Sequence, residues 1–335
     1  MSERESGLRK KGLSLFGNQV RSVWPEHGIR RALLDFLIRR GSRAVIAWRW
    51  PWPRRKPFER SALQLYSIGG GLGDELMCTP IFREIRRRNP GCRITFFSRF
   101  PEIFRSNPHL DVVRPFSAEV ARKADPLWYV PKPPRPLITL MAECVGLEFS
   151  ADRVEPPQIE PSATVRNNVE AIPRPRIVIQ PQASRWTPNK QWPVESWTAL
   201  IGQLTQRFEV IEVGTDTLFA GQEFGERFHT FAGATSLIDL AWVISQADVF
   251  VGPPSSGMHL ANAFEIPTVA IFGGFEDPRG YDYPWAASLF SPVECAPCWL
   301  ETPCPFDRKC LRLIQPEQVL QAIEKAIAAA RPVNS

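Results

Sequence analysis

A compact apolar run, Leu63 to Ile68, feeds directly into Gly69-Gly70-Gly71-Leu72-Gly73-Asp74, and a segment with helical patterning, Leu76 to Arg88, follows. A strand that passes through a glycine-rich turn into a helix leaves backbone N–H groups and a positive dipole end at one edge of a sheet. Such an edge attracts anions, yet this turn also carries the carboxylate of Asp74, which repels phosphate. The turn therefore suits a neutral hydroxyl that Asp74 can deprotonate, or a structural turn in which Asp74 caps the helix. Two nucleotide motifs are excluded. No Gly-Lys-Ser/Thr follows, as a Walker loop requires. The dinucleotide fingerprint needs a third glycine where Asp74 stands and an acid after the second strand, whereas Cys92 to Phe97 ends in Ser98-Arg99.

The same alternation of strand and helix continues along the chain and predicts an α/β architecture. In the second half Ile177-Val178-Ile179, Glu209 to Val213, Val249-Phe250-Val251 and Thr268 to Phe272 read as strands. Val194 to Gln206, Leu237 to Gln246 (capped by Ser236), Met258 to Phe264 and Pro316 to Ala330 read as helices. At 335 residues there is room for two domains with sizeable cores. Prolines 156, 157, 161, 173 and 175 mark an extended stretch between them. The expected division is a basic extension over 1–60, an N-terminal Rossmann-like domain over 61–170, and a C-terminal one over 171–335.

The net charge of +6 conceals an asymmetry. Residues 1–60 hold 15 Lys/Arg against 5 Asp/Glu, while the remainder holds 26 against 30. Within this arm Ile29 to Arg40 has amphipathic helical spacing, and Trp48, Trp50 and Trp52 stand among arginines and prolines. That mixture suits an anionic membrane surface; a solubilising tail with a packed helix is the plainer reading. Nucleic acid is not an expected partner, since no recognition motif accompanies the charge. No apolar run approaches the ~18–20 residues of a spanning helix, and the N-terminus lacks an apolar signal core. The expected location is the cytoplasm, peripheral on the inner face of the cytoplasmic membrane.

Two further loops carry candidate ligand groups. Gly252-Pro253-Pro254-Ser255-Ser256-Gly257-Met258-His259 joins a buried strand to a helix and offers hydroxyls and amides at the helix start. That suits a pyrophosphate, or is a plain capped turn. His259 is a ligand contact or a packing residue. Gln182 to Pro193 follows the first strand of the second half, where open sheets bind ligands. Its Lys190 either neutralises a diphosphate or is simply solvated.

Taken together the three loops are recognisable. Gly-Leu-Gly-Asp with Thr79-Pro80, Lys190 before Trp192-Pro193, Ser255 to His259 with Leu260-Ala261-Asn262-Ala263, and Ile266 to Gly273 occur in an order that resembles glycosyltransferase family 9. This is the ADP-heptose:lipopolysaccharide heptosyltransferase group. The resemblance covers about 61–325. It implies the GT-B fold, in which two Rossmann-like domains face a cleft, with the acceptor on the first and the sugar nucleotide on the second. It implies inverting transfer from a nucleotide-diphospho sugar to a glycolipid or other glycoconjugate, with no cofactor for catalysis. Asp74 would be the catalytic base, beside Gly71 and Gly73 on the acceptor side. Ser184, Lys190, Gly214, Thr215, Ser255, Ser256, Gly257 and His259 would bind the donor.

Two departures stand out. Pro254 and Ser256 occupy the family's Asp and Gly positions, and a proline-rich passage, Pro126 to Pro136, stands where a mid-domain strand is expected. These motivate an alternative, a non-catalytic nucleotide-sugar or glycan-binding protein. Cys295, Cys298, Cys304 and Cys310 have the spacing of a structural Zn or Fe tetrathiolate, with free thiols or disulfides as alternatives.

Overall fold

The computed structural model describes residues 57–129, 135–149, 151, 153–183, 187–281 and 283–330. The amphipathic Ile29 to Arg40 segment and the three tryptophans of the basic arm lie outside them. Two wholly parallel sheets form the frame. The first contains β1 (Ala62–Ser67), β2 (Arg93–Ser98), β3 (Val112–Pro115) and β4 (Asp125–Leu127) in the order β3-β2-β1-β4. The second contains β5 (Arg176–Ile179), β6 (Glu209–Glu212), β7 (Phe228–Thr230), β8 (Val249–Gly252), β9 (Thr268–Gly273) and β10 (Ala286–Phe290) in the order β10-β9-β8-β5-β6-β7. The α/β, GT-B reading is thus realised.

Burial explains why these segments read as strands. β5, β8 and β9 are buried along their whole length, as strands covered on both faces must be, and they are continuous apolar runs. β4 is the strand that seemed to be missing. It lies within the proline-rich passage and pairs with β1 through Leu65–Asp125, Tyr66–Pro126 and Ser67–Leu127. Pro126 is tolerated because β4 is an edge strand, where one missing N–H leaves no neighbour unsatisfied. Leu127 is fully buried and supplies the apolar contact that fixes it there. β7 and β10 are likewise short or half-exposed edge strands without clear alternation.

The predicted helices form with shifts of one to three residues at their ends. Ser236 caps the helix Leu237–Ser245 by accepting from Asp239 N, and Asp239 accepts back from Ser236 N. The C-terminal helix runs over Pro316–Ala330. Pro57 and Phe58, in the stretch read as the end of the arm, are buried, and Phe58 N donates to Val145 O.

The two sheets are joined by packed elements. One apolar cluster includes Leu63, Leu76 and Phe96 from the first sheet's layer and Val178, Phe250 and Leu260 from the second's. The segment crossing between them is pinned on both sides. Val154 N donates to Asn262 Oδ1 on the helix Ser256–Ala263, and Glu155 N donates to Thr79 Oγ1 on the helix Thr79–Arg88. Arg83 pairs with Glu155 at 2.5 Å and reinforces the same joint.

Candidate active site

In each sheet the strand order reverses at one point, the place where open α/β sheets form a crevice at the carboxyl ends of their strands. In the first sheet the reversal falls between β1 and β4; in the second it falls between β5 and β8. The candidate residues gather at these two places.

Asp74 follows β1 on the short helix Leu72–Leu76. Its Oδ2 accepts from Gly71 N at 3.1 Å, the capping contact anticipated as the bland role. Its Oδ1 accepts from the hydroxyl of Tyr129 at 2.6 Å, and Tyr129 follows β4. One hydrogen bond therefore spans the reversal point and fixes the carboxylate plane. Gly69 is required by space, because a Cβ there would sit 2.3 Å from Asp74 Cγ. Gly70 adopts φ +79°, and the Arg99 guanidinium lies beneath it. Arg99 donates to Ser67 O and stacks 4.0 Å from the Phe116 ring centre, so it props the turn from below.

Glu75, next in sequence, is fully buried and accepts from Ser98 Oγ and Arg99 N. Burial pushes its carboxyl up to about 7, with Asp74 adding to the rise and its hydrogen-bond donors and Arg99 opposing it.

Across the joint, His259 from the helix Ser256–Ala263 packs on this turn. A Cβ at Gly73 would lie 2.6 Å from His259 Cδ2, which is why a glycine is needed at this contact. His259 Nδ1 is 2.6 Å from Tyr283 Oη. Burial, and then the positive charge of Lys190, push the imidazole down to about 3. The ring is thus a neutral wedge between the two halves of the molecule.

Lys190 sits at the β5–β8 reversal, on a 3-10 turn over Pro188–Lys190. Its Nζ donates to Pro254 O at 3.2 Å and pairs with Glu276 Oε1 at 2.6 Å. Pro254 therefore contributes a carbonyl to the same crevice. The other Glu276 oxygen accepts from Tyr281 Oη at 2.7 Å. The Tyr281 hydroxyl is pushed well up, first by burial and then by Glu276, Tyr129 and Asp74. The Tyr281 ring also lies 5.5 Å from that of His259, the residue packed on the Asp74 turn.

The remaining predicted residues are placed unevenly. Ser255 precedes the helix, but its hydroxyl donates to Gln180 Oε1 rather than capping. Ser256 opens that helix, half-exposed. Gly257 is there for packing, since a Cβ would meet Gln180 Oε1 at 2.1 Å and Phe250 at 2.6 Å. Gly214 and exposed Thr215 stand after β6, one strand away from β5 on the side opposite β8, where Gly214 O accepts from Gly233 N. Ser184 lies outside the described residues.

In the cysteine segment no group of three His, Cys, Asp or Glu side chains among the described residues is gathered for a metal ion. The Cys298 thiol is raised by burial, and then by Cys295 and Cys304. The segment itself is tied down. Cys298 N and Trp299 N donate to Gly274 O and Phe275 O, and the buried Cys310 packs against Gly274. Asn189 Nδ2 donates to Leu300 O at 2.6 Å and Thr302 O at 2.8 Å, while its Oδ1 accepts from Cys304 N at 3.2 Å. Thr187 Oγ1 also donates to Leu300 O. The segment thereby clamps the turn carrying Lys190 and the strand end carrying Glu276.

Tyr129, Asn189, Glu276 and Tyr281 were missed in the sequence. Glu276 had a usable signal, being a charged residue just beyond the carboxyl end of β9. Tyr129 and Asn189 had none, because their roles depend on partners 55 positions away and over 110 positions away, respectively.

Two parallel α/β sheets whose layers pack into one apolar cluster define a GT-B-type α/β protein. Within that class the chain is similar to glycosyltransferase family 9, as its loops indicate: residues 137–290 match the sequence model described as glycosyltransferase family 9 (heptosyltransferase). A lipooligosaccharide heptosyltransferase 2 of Campylobacter jejuni is 32% identical over 96 residues, a match spanning 27% of this chain and 29% of that protein. The solved ADP-heptose LPS heptosyltransferase II of E. coli superposes with a TM-score of 0.56 at 17% identity, covering 80% of this chain and 99% of that one. The dodecameric iron-containing heptosyltransferase TibC, in complex with ADP-D-beta-D-heptose, superposes with a TM-score of 0.59 at 20% identity, covering 82% and 77%.

Proposed function

We propose that this chain transfers a sugar, a heptose from ADP-heptose, to a hydroxyl of lipopolysaccharide or another bacterial glycoconjugate. The transfer inverts the anomeric centre and uses no catalytic metal. The observation that carries this reading is that the Asp74 turn packs on His259, whose ring lies 5.5 Å from Tyr281, the residue that holds Glu276 beside Lys190. The similarity to glycosyltransferase family 9, and the ADP-heptose in the TibC complex, supply the substrate class.

In this mechanism Asp74 takes the proton of the acceptor hydroxyl as that oxygen attacks the anomeric carbon. Lys190 stabilises the negative charge that develops on the departing diphosphate. The neutral His259 wedge and the pinned crossing segment hold the halves in register, so the two substrates are presented to each other without a search.

Asp74→Asn tests the assignment. It keeps the shape of the carboxylate but cannot accept the proton, so turnover is expected to fall by about 10²–10⁴-fold with ADP affinity preserved. Near-normal turnover would remove Asp74 from the chemistry. Tight ADP-heptose binding by the wild-type protein, with no transfer to any glycolipid extract, would favour the non-catalytic reading instead.

We further propose that residues 1–60 hold the protein on an anionic membrane face. No helix among the described residues is long and apolar enough to cross a membrane. The support is the charge and tryptophan content of the arm. Vesicle binding should fall steeply with salt and vanish in a variant beginning at Lys56, which keeps buried Pro57 and Phe58. Equal binding by the two forms would assign the arm another partner.

A further inference from the structure

Lys190 is not waiting with an uncompensated charge. Its side chain is 11% exposed and that of Glu276 is 3% exposed, and the ammonium and carboxylate meet at 2.6 Å. The Tyr281 hydroxyl holds the far oxygen of Glu276 at 2.7 Å, and both of these residues are buried. A phosphate oxygen needs the same donor hydrogens of the ammonium that Glu276 now accepts, and a second anion placed beside a buried carboxylate is repelled. Diphosphate and Glu276 therefore compete for one cation.

We propose that Glu276 is a built-in counter-anion that the donor diphosphate displaces from Lys190, and that it thereby sets how tightly this site holds a nucleoside diphosphate. This rests on the reading of Lys190 as the donor-phosphate residue. The surroundings fit an exchange of anions rather than a permanent strut. Lys190 keeps two other contacts when the carboxylate leaves, the Pro254 carbonyl at 3.2 Å and the Phe275 ring face at 5.2 Å. Glu276 follows Gly273, at φ +60°, and Gly274 at the end of β9, and it depends on Tyr281 for its anchor. The charges of Lys190 and Glu276 cancel within their pair, so Lys190 neutralises an added anion only after the carboxylate has turned away. Selectivity follows: a ligand with one weakly charged group does not displace Glu276, whereas a diphosphate does.

The test is calorimetric titration of the full chain with ADP. Glu276→Gln keeps the shape and an oxygen for Tyr281 but removes the competing charge, and is expected to tighten ADP binding by about tenfold or more. Tyr281→Phe leaves the charge but frees its anchor, and is expected to tighten binding two- to threefold; this arm decides the matter if Glu276→Gln fails to fold. In a Lys190→Ala background the Glu276→Gln gain should disappear. Unchanged or weaker ADP binding by both Glu276→Gln and Tyr281→Phe, with Lys190→Ala still weakening it, would overturn the displacement and leave the donor site standing. Unchanged ADP affinity in Lys190→Ala would instead overturn the donor-site reading itself.

Discussion

Asn189 offers the sharpest test of how the site is held together. Its side chain is 4% exposed and makes three hydrogen bonds to the backbone of the cysteine segment, two as donor at 2.6 and 2.8 Å and one as acceptor at 3.2 Å. Each such bond contributes about 1 kcal/mol net, more where a partner is left dry. Leu300 O keeps the Thr187 hydroxyl, and Thr302 is exposed enough for water to replace the lost donor. Asn189→Ala should therefore destabilise the protein by about 2–4 kcal/mol, rather than by the larger sum expected if all three partners were buried and orphaned. Because Lys190 is the next residue, the same change should weaken ADP binding roughly tenfold. Asn189→Asp is the stricter variant. It keeps size and an acceptor for Cys304 N but sets a carboxylate oxygen against two carbonyls, so it should be worse than alanine. Urea midpoints and ADP titration of the three proteins decide it. A loss under about 1 kcal/mol with unchanged ADP affinity, or an aspartate milder than alanine, would refute the clamp.

Three more expectations follow from particular contacts. Tyr129→Phe removes the hydrogen bond that joins Asp74 to the β4 side of the crevice, so kcat should drop about tenfold with the donor KM unmoved; a change confined to KM would place Tyr129 in binding instead. Gly73→Ala inserts a Cβ 2.6 Å from a buried, tethered His259 and should destabilise the fold by about 1–3 kcal/mol while depressing turnover; an unchanged melting temperature would mean that the joint gives way freely. The pH profile of stability has a testable sign. Glu75, raised from 4.5 to about 7, contributes stability that is fully present below pH 4.5 and lost as pH rises towards 7, whereas His259, lowered from 6.5 to about 3, contributes stability present above pH 6.5 and lost as pH falls towards 3. The two slopes oppose each other between pH 4.5 and 6.5, so Glu75→Gln should expose a fall of about 1.4 kcal/mol per pH unit on acidification through that window; parallel wild-type and variant profiles would contradict it.

Periodicity and turn chemistry were enough to assign the α/β class, because a strand buried on both faces and an amphipathic helix each leave a local signature. The runs around Val249 and Thr268, the Ser236 cap and the glycine-rich turn at 69–73 could be read directly for that reason. The loop order likewise carried the likeness to glycosyltransferase family 9, and hence Asp74 and Lys190 as candidates. Edge strands such as β4 escaped, since three residues with a central proline have no period to detect. What only the tertiary structure decided is who faces whom. Tyr129 reaches Asp74 because β4 lies beside β1, and Glu276 reaches Lys190 because the loops after β5 and β9 converge over β8. The cysteines, spaced like metal ligands, are drawn instead along the Lys190 turn by Asn189. A sequence records which groups are available. Strand order sets the distances between them, and with those distances the charge that each group meets.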